Sequence, residues 1–385
     1  MGKNFKMLAK TLYGLEELLA QELRQLGASN IEIGTRNVSF EGDTGFMYKV
    51  NLCSRTAIKV LKPITGFNIF TEEDLYKKIY QIPWEEYMDA NGSLAVDATV
   101  YSKYFTHSQY IALKTKDAIV DRFRDKEGER PNVDLDHPTL RINIHIDRNI
   151  CTVSLDSSGQ SLHKRGYKIE NTIAPINEVL AAGIIMLSGW SGQCDFMDPM
   201  CGGGTILTEA AMIACNIPPN LNRDEFGFET WPDFDVDLYE VIEDAALKKV
   251  KDFHFKIYGS DTDGFAVRKA KENIKNANLS EFIEIKEQDF FSSEKETGRQ
   301  LHMVFNPPYD ERISVEDIEA FYSNIGNTLK RGYAGTNAWM ITSNMEALKH
   351  VGLRPSRKIK LYNGKLESKL VRYEMYEGSR KFSKQ

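Results

Sequence analysis

The chain has 385 residues and a net charge of −6, with 42% hydrophobic and 27% charged residues, which predicts two or three domains with ample material for packed cores. No run approaches the ~20 apolar residues of a membrane helix; Lys10, Glu16 and Glu17 break the N-terminal segment against a signal peptide, and Lys6 stands where a myristoylation signal needs a hydroxyl. The five cysteines (53, 151, 194, 201 and 215) include no C-x-x-C pair, which argues against a disulfide framework or a zinc site and for a reducing, cytoplasmic compartment.

Residues 1 to about 60 read as a small α+β unit. "FKMLAKT" is a strand, and Leu12, Leu15, Leu19, Leu23 and Leu26 form one helical stripe that stops at Gly27. "IEIGT" and "NVSFEG" follow as strands. Residues about 60 to 157 read as a second α+β unit. Its first helix, "TEEDLYKKIYQI", opens on a capping-box pattern, Thr71 with Asp74. "SLAVDATVYS" alternates as a strand, and "SQYIALKTKDAIVDRFRDKEG" is an amphipathic helix. "LRINIHIDRN" and "ICTVSLDSSG" then form a hairpin turning at 147–149.

From about residue 165 strands alternate with longer helices, the pattern of a parallel, doubly wound α/β sheet. "CDFMDPM", "FKIYGSD", "FIEIKEQD", "LHMVFNPPY" and "NAWMITS" are its strands. Two alternating runs joined at Asn363-Gly364 predict a terminal hairpin, so the sheet closes with an antiparallel strand.

Charge is unevenly spread. Ile217–Ala245 carries nine acids and one base, Arg223, so the rest of the chain is +2. The tail from Arg354 has ten Lys/Arg and three Glu. A basic region of this kind either attracts phosphate or is simply a solvated tail.

In doubly wound sheets ligands sit beyond the carboxyl ends of the strands. The first such end runs into "DPMCGGGTILTEAA", where glycines let the backbone turn tightly ahead of a helix. The loop is neither a phosphate-binding Walker loop, lacking Lys-Ser/Thr, nor a dinucleotide fingerprint, lacking the third glycine. Taken alone it is equally a plain strand–helix turn. The next strand ends at Asp261, placed to accept both hydroxyls of a ribose. The third ends at Asp289-Phe290, where the acid suits an adenine amine and the ring suits its face. Each aspartate separately also reads as a helix cap; together they converge on one adenosine.

The fourth strand ends on Asn306-Pro307-Pro308-Tyr309. An exocyclic amine on a flat ring is a poor nucleophile, because its lone pair is delocalised. Two acceptors on its N–H bonds, the Asn306 side-chain carbonyl and the Pro307 backbone carbonyl, would free that lone pair and stabilise the charge that develops on attack. The prolines hold the turn rigid, and Tyr309 offers a stacking face.

These motifs resemble the class I S-adenosylmethionine-dependent amino-methyltransferases. With "LHKRGYKIENTIAPINEVLAAGII", "NRDEFGFETWPDF" and "YNGKLESKL", the whole chain resembles the THUMP-domain RNA guanine-N2 methyltransferases, in their bacterial large-subunit (23S) rRNA branch. The resemblance implies a ferredoxin-like domain over 1–60, a THUMP RNA-binding domain over 60–157 and a Rossmann-like methyltransferase domain over 165–385. It implies S-adenosylmethionine as cofactor, no metal, and RNA as partner, either 23S rRNA or a ribosome assembly intermediate. It implies that Asp198, Met200, Gly202, Gly204 and Thr205 hold the methionine part, Asp261 the ribose, and Asp289 and Phe290 the adenine. Thr172 and Pro175 would close over the cofactor, and Asn306 to Tyr309 would hold the target amine. Lys103, His107, Lys114, Lys116, Arg122, Arg124 and Arg165 are candidates for RNA contact. The loop departs from many relatives in having Gly-Gly-Gly for Gly-Ser-Gly, a mild change. Some bacterial relatives continue into a second methyltransferase domain, so only the guanine-N2 activity is implied here. Three other readings stay open: the same chemistry on tRNA, adenine-N6 methylation of nucleic acid, and a non-enzymatic RNA-binding assembly factor.

Overall fold

The computed structural model describes residues 2–168, 176–308 and 318–376. Its elements in chain order are β1 (Phe5–Thr11), α1 (Glu16–Leu26), β2 (Ser29–Gly34), β3 (Asn37–Gly42), α2 (Thr44–Cys53), β4 (Ala57–Asn68), α3 (Glu72–Gln81), β5 (Ser93–Tyr101), α4 (Ser108–Glu127), β6 (Asn132–Val133), β7 (Leu140–Asp147) and β8 (Ile150–Asp156). There follow α5 (Glu178–Ser188), β9 (Asp195–Asp198), α6 (Thr205–Ala214), α7 (Val236–Leu247), β10 (Ile257–Asp261), α8 (Gly264–Asn276), β11 (Ile283–Glu287), β12 (Leu301–Phe305), α9 (Ile318–Gly332), β13 (Thr336–Thr342), β14 (Arg357–Asn363) and β15 (Leu366–Glu374). Among the described residues, no helix is long and apolar enough to cross a membrane.

The chain divides into two compact units, and neither is one continuous stretch. The first comprises residues 1–11, 19–164 and 223–245; the second comprises 12–18, 165–222 and 246–385. The first holds an eight-stranded sheet in the order β2-β3-β1-β4-β8-β7-β5-β6. The ferredoxin-like and THUMP parts, read from the sequence as successive units, thus share one sheet. The 12-residue β4 joins them, pairing with β1 on one side and β8 on the other. Its register shifts between Pro63 and Thr65, where proline removes a ladder donor. On β7, Leu140, Ile142, Ile144 and Ile146 are all fully buried, each contributing about 1.5–3 kcal/mol of burial. The hairpin turn pairs Asp147 with Ile150. The α3 capping box is present, with Asp74 N–H donating to Thr71 Oγ1 and Thr71 N–H to Asp74 Oδ2, both at 3.0 Å.

The acidic stretch 223–245 belongs to the first unit. Its aromatics belong to the first unit: Phe228 is fully buried, stacked on Tyr48 at 4.3 Å and near Phe226, Phe234 and Tyr239. Lys62 lies over the rings of Phe5 and Trp231 and pairs with Asp233 at 3.6 Å. Its acids therefore occupy the outer side of an aromatic plug. The leucine stripe of the first helix also divides: Leu19 and Leu23 serve the first unit, while Leu15 lies in the second, against Gly183 of α5, where a Cβ would stand 2.6 Å from it.

The second unit holds a seven-stranded sheet in the order β11-β10-β9-β12-β13-β15-β14. β11, β10, β9, β12 and β13 run parallel; β15 is antiparallel to β13 and forms the expected hairpin with β14, Asn363 opposite Leu366. The parallel strands put β9, β10, β11 and β12 ends along one edge, with β9 and β12 adjacent through Met197–Met303.

Candidate active site

The glycine loop is fixed by neighbours on three elements. Asp198, the last residue of β9, is buried, and its Oδ1 accepts the Met200 N–H at 3.1 Å. Burial holds its carboxyl well above the ordinary range, and the nearby Asp261 charge pushes the same way. The Cys201 N–H donates to Ser260 O of β10 at 2.9 Å. Gly202 takes φ +50°, and a Cβ there would meet nothing within 4 Å, so this side of the loop is open. Gly204 takes φ +78° as the N-cap of α6, and a Cβ there would stand 3.1 Å from Ala270 Cβ. Its glycine thus serves both the left-handed turn and close packing on α8. Thr205 is the buried first residue of α6. Asn273 is a residue the sequence reading missed. It is fully buried on α8, and its Nδ2 donates to Gly203 O at 2.9 Å. An asparagine inside an amphipathic helix carries no signal of its own; only its partner across the fold marks it.

Asp261 ends β10. Its Oδ2 accepts the Gly202 N–H at 2.9 Å and its Oδ1 the Asp263 N–H at 3.0 Å. Each oxygen of a carboxylate has about two acceptor sites, so one remains on each for a pair of vicinal hydroxyls. Beyond β11, Asp289 is exposed, and its Oδ1 accepts the Phe291 N–H at 3.0 Å as the cap of a short 3-10 turn. Phe290 departs from expectation: its ring is buried in the core between Phe305 and Tyr333, at 6.0 and 5.5 Å, and does not lie across the open edge. The 3-10 turn that starts at Phe290 carries its ring into the apolar layer. The open glycine face, a buried acid and a half-satisfied carboxylate fit an adenosine-containing cofactor with a cationic amine.

Asn306 directly follows β12, and Pro307 is buried beside it. Asn306 Oδ1 is buried and has no hydrogen-bond partner among the described residues. An acceptor left so costs about 1–3 kcal/mol, and a donor from a bound substrate would relieve it. His302, four residues earlier, is buried with Nε2 2.8 Å from Ser188 Oγ, and burial pulls its pKa down to about 4, so it is a neutral support of the strand. Tyr309, Thr172 and Pro175 lie outside the described residues. No group of three or more metal-binding side chains is assembled among the described residues.

The candidate RNA-contact cations separate sharply. Arg165 is fully buried, with Nε 3.3 Å from Glu209 Oε1 and Nη1 donating to Asn220 Oδ1 at 3.0 Å, so it is a core ion pair and cannot reach RNA. Arg122 is also buried, donating through Nε to Glu85 at 2.8 Å and through Nη1 to Tyr80 O at 3.0 Å. Lys114 pairs with Glu73 at 3.8 Å, Lys116 with Asp117, and Arg124 with Asp121 at 2.8 Å and Asp125 at 3.2 Å. Lys103 and His107 are exposed and have no such partner among the described residues. The sequence shows charge but not its neutralisation.

Three family models match the chain: an RMKL-like methyltransferase domain over residues 165–372, a THUMP domain over 70–156 and an RlmL ferredoxin-like domain over 6–61. The chain is 38% identical to a ribosomal RNA large subunit methyltransferase K/L of Syntrophotalea carbinolica, over 98% of the chain and 54% of that protein. It thus spans about half the length of this relative. It is 37% identical to "Putative RNA methyltransferase slr0064" of Synechocystis sp., over 94% of the chain and 95% of that protein. Among solved structures, it is similar to SMU.472 complexed with SAH, with a TM-score of 0.86, 29% identity, and coverage of 98% of this chain and 100% of that one. By sequence match over more than half its length, the chain belongs to the RMKL-like methyltransferase family and carries that family's ferredoxin-like and THUMP domains.

Proposed function

We propose that this protein transfers a methyl group from S-adenosylmethionine to the exocyclic N2 of a guanosine in large-subunit rRNA. The observation that carries the reading is Asn306 Oδ1, buried and without a partner among the described residues, on the strand β12 that neighbours β9 and its glycine loop. An aromatic amine supplies the donor it lacks. The family membership, a K/L relative that acts on large-subunit rRNA by name, and a similar structure complexed with SAH support the cofactor and the RNA class.

When bound, the cofactor supplies an electrophilic methyl carbon on a sulfonium. The open face of the Gly202–Gly204 turn receives its methionine part and Asp198 faces its amine. Asp261 accepts the ribose hydroxyls through its two remaining sites. Asn306 Oδ1 and the Pro307 carbonyl accept the N–H bonds of the guanine amine, aim its lone pair and stabilise the positive charge on nitrogen as the new C–N bond forms and the S–C bond breaks. The extra proton then leaves to water. A base inside a helix cannot reach this edge, so single-stranded or flipped RNA is the form taken.

The test is methyl transfer from labelled S-adenosylmethionine to total RNA of a strain lacking the gene, followed by nucleoside analysis. Label in N2-methylguanosine of large-subunit rRNA is the expected result. Label in tRNA moves the target, label in N6-methyladenosine overturns the base, and no label in RNA or in ribosome assembly intermediates overturns the reading.

A further inference from the structure

Three of the five exposed tyrosines among the described residues fall within ten positions of the first unit: Tyr101 at 65% exposure, Tyr104 at 76% and Tyr110 at 44%. Large exposed aromatics cluster on a surface when something covers them. The loop that carries them is built, not loose. Phe105 is buried as its anchor. Ser102 Oγ donates to Arg148 O at 2.5 Å and accepts the Tyr104 N–H at 3.1 Å, while the Arg148 N–H donates to Tyr101 O at 2.8 Å. Tyr101 also meets the edge of His145 at 5.8 Å, and the Tyr110 hydroxyl is hydrogen-bonded to Glu72. The rings are therefore displayed from a fixed base.

The same patch holds Lys103, His107 and Arg148, all exposed and without a side-chain partner among the described residues. This contrasts with Lys114, Lys116, Arg122 and Arg124 of α4, each of which is paired with a carboxylate. Two acids, Glu72 and Asp147, stand close by, so with Lys103 and Arg148 the patch carries no net charge. Rings with a few free cations suit unpaired bases on a phosphate backbone: each base stacks on an aromatic face without regard to its identity, and the cations take the phosphates. A protein partner would want a larger apolar area, and duplex RNA would want a denser basic surface.

We infer that the Tyr101–Tyr110 loop is a stacking platform for single-stranded RNA, with Tyr101, Tyr104 and Tyr110 taking bases and Lys103 and Arg148 taking phosphates. The inference deepens the RNA reading above and rests on it for the identity of the partner. With about two phosphates neutralised, log affinity falls against log salt with a slope of only about −1.4.

The test is fluorescence anisotropy of the full chain with a 12-nucleotide single-stranded RNA of mixed sequence, in the absence of cofactor. The variant Tyr101→Ser/Tyr104→Ser/Tyr110→Ser is expected to bind at least tenfold more weakly with an unchanged melting temperature. The variant Tyr101→Phe/Tyr104→Phe/Tyr110→Phe keeps the rings and should bind within twofold of the parent. Serine variants binding as the parent, phenylalanine variants as weak as the serine ones, or a parent that does not bind would each overturn the platform. Binding is read without methyl transfer, so it stands or falls separately from the labelling experiment: a parent that methylates RNA while the serine variant binds normally refutes the loop alone.

Discussion

Replacing Asn306 by leucine should slow the reaction and stabilise the protein at once. Leucine has nearly the shape of asparagine but no acceptor. Asn306 Oδ1 is buried without a partner among the described residues, an arrangement that costs about 1–3 kcal/mol. Removing it and burying two methyl groups instead should raise the unfolding free energy by about 1–2 kcal/mol, or about 2–4 °C per kcal/mol in a unit of this size. In the proposed reaction the same change deletes one of two acceptors for a developing positive charge, a loss of about 10²–10³ in kcat. Cofactor affinity should hold, since Asn306 lies beyond β12 and the residues proposed to hold the cofactor lie at the ends of β9 and β10. Scanning calorimetry of the free protein, single-turnover methyl transfer and titration calorimetry read the three quantities. A variant that melts well below the parent would mean that Oδ1 serves the fold, and full activity would remove Asn306 from the chemistry.

Three further outcomes follow from the site and its supports. Asp261→Ala should weaken S-adenosylmethionine binding at least tenfold by titration calorimetry, because it removes both hydroxyl acceptors and the tie to the Gly202 N–H; unchanged affinity would place the ribose elsewhere. His302 has its pKa lowered to about 4 by burial, so the unfolded chain, with a histidine near 6.5, binds the proton first and stability drains as pH falls below that value. Between pH 7 and pH 5 this amounts to about 2 kcal/mol, which denaturant unfolding should show as a difference between the parent and His302→Gln. Phe228→Ala should cost about 3–5 kcal/mol and expose the first unit to limited proteolysis, since its ring fills the contact with Tyr48; a surface role for 223–245 would leave stability unchanged.

What the sequence revealed was local or periodic. The Thr71–Asp74 box, the alternation of Leu140 to Ile146 and the Asn363-Gly364 turn each need only a few neighbouring residues, and all appear as read. Strand-end logic also brought Asp198, Asp261 and Asn306 to one edge, because a parallel sheet orders its ends whatever the side chains are. Partnership across the fold was not legible. Nothing beside Arg165 in the sequence announces Glu209, 44 positions away, and nothing beside Arg122 announces Glu85. Phe290 follows the third strand end as read, but its ring lies in the core and not on the open edge. The packing of 223–245 is hidden by its acids, whose charge masks the interleaved Phe226, Phe228, Phe234 and Tyr239, and α2 escapes notice because its small apolar run gives little periodic contrast.

The discontinuity of the two units bears on how such a chain can be inherited and engineered. Residues 12–18 are lent forward and 223–245 are lent back, so each unit is completed by a piece that sits on the other's side of residue 164. A recombination event at that point would pass on two incomplete halves, each missing an internal strip of its own fold. The two units are thereby tied together in the chain, and a graft of either onto a new host must carry its borrowed strip with it.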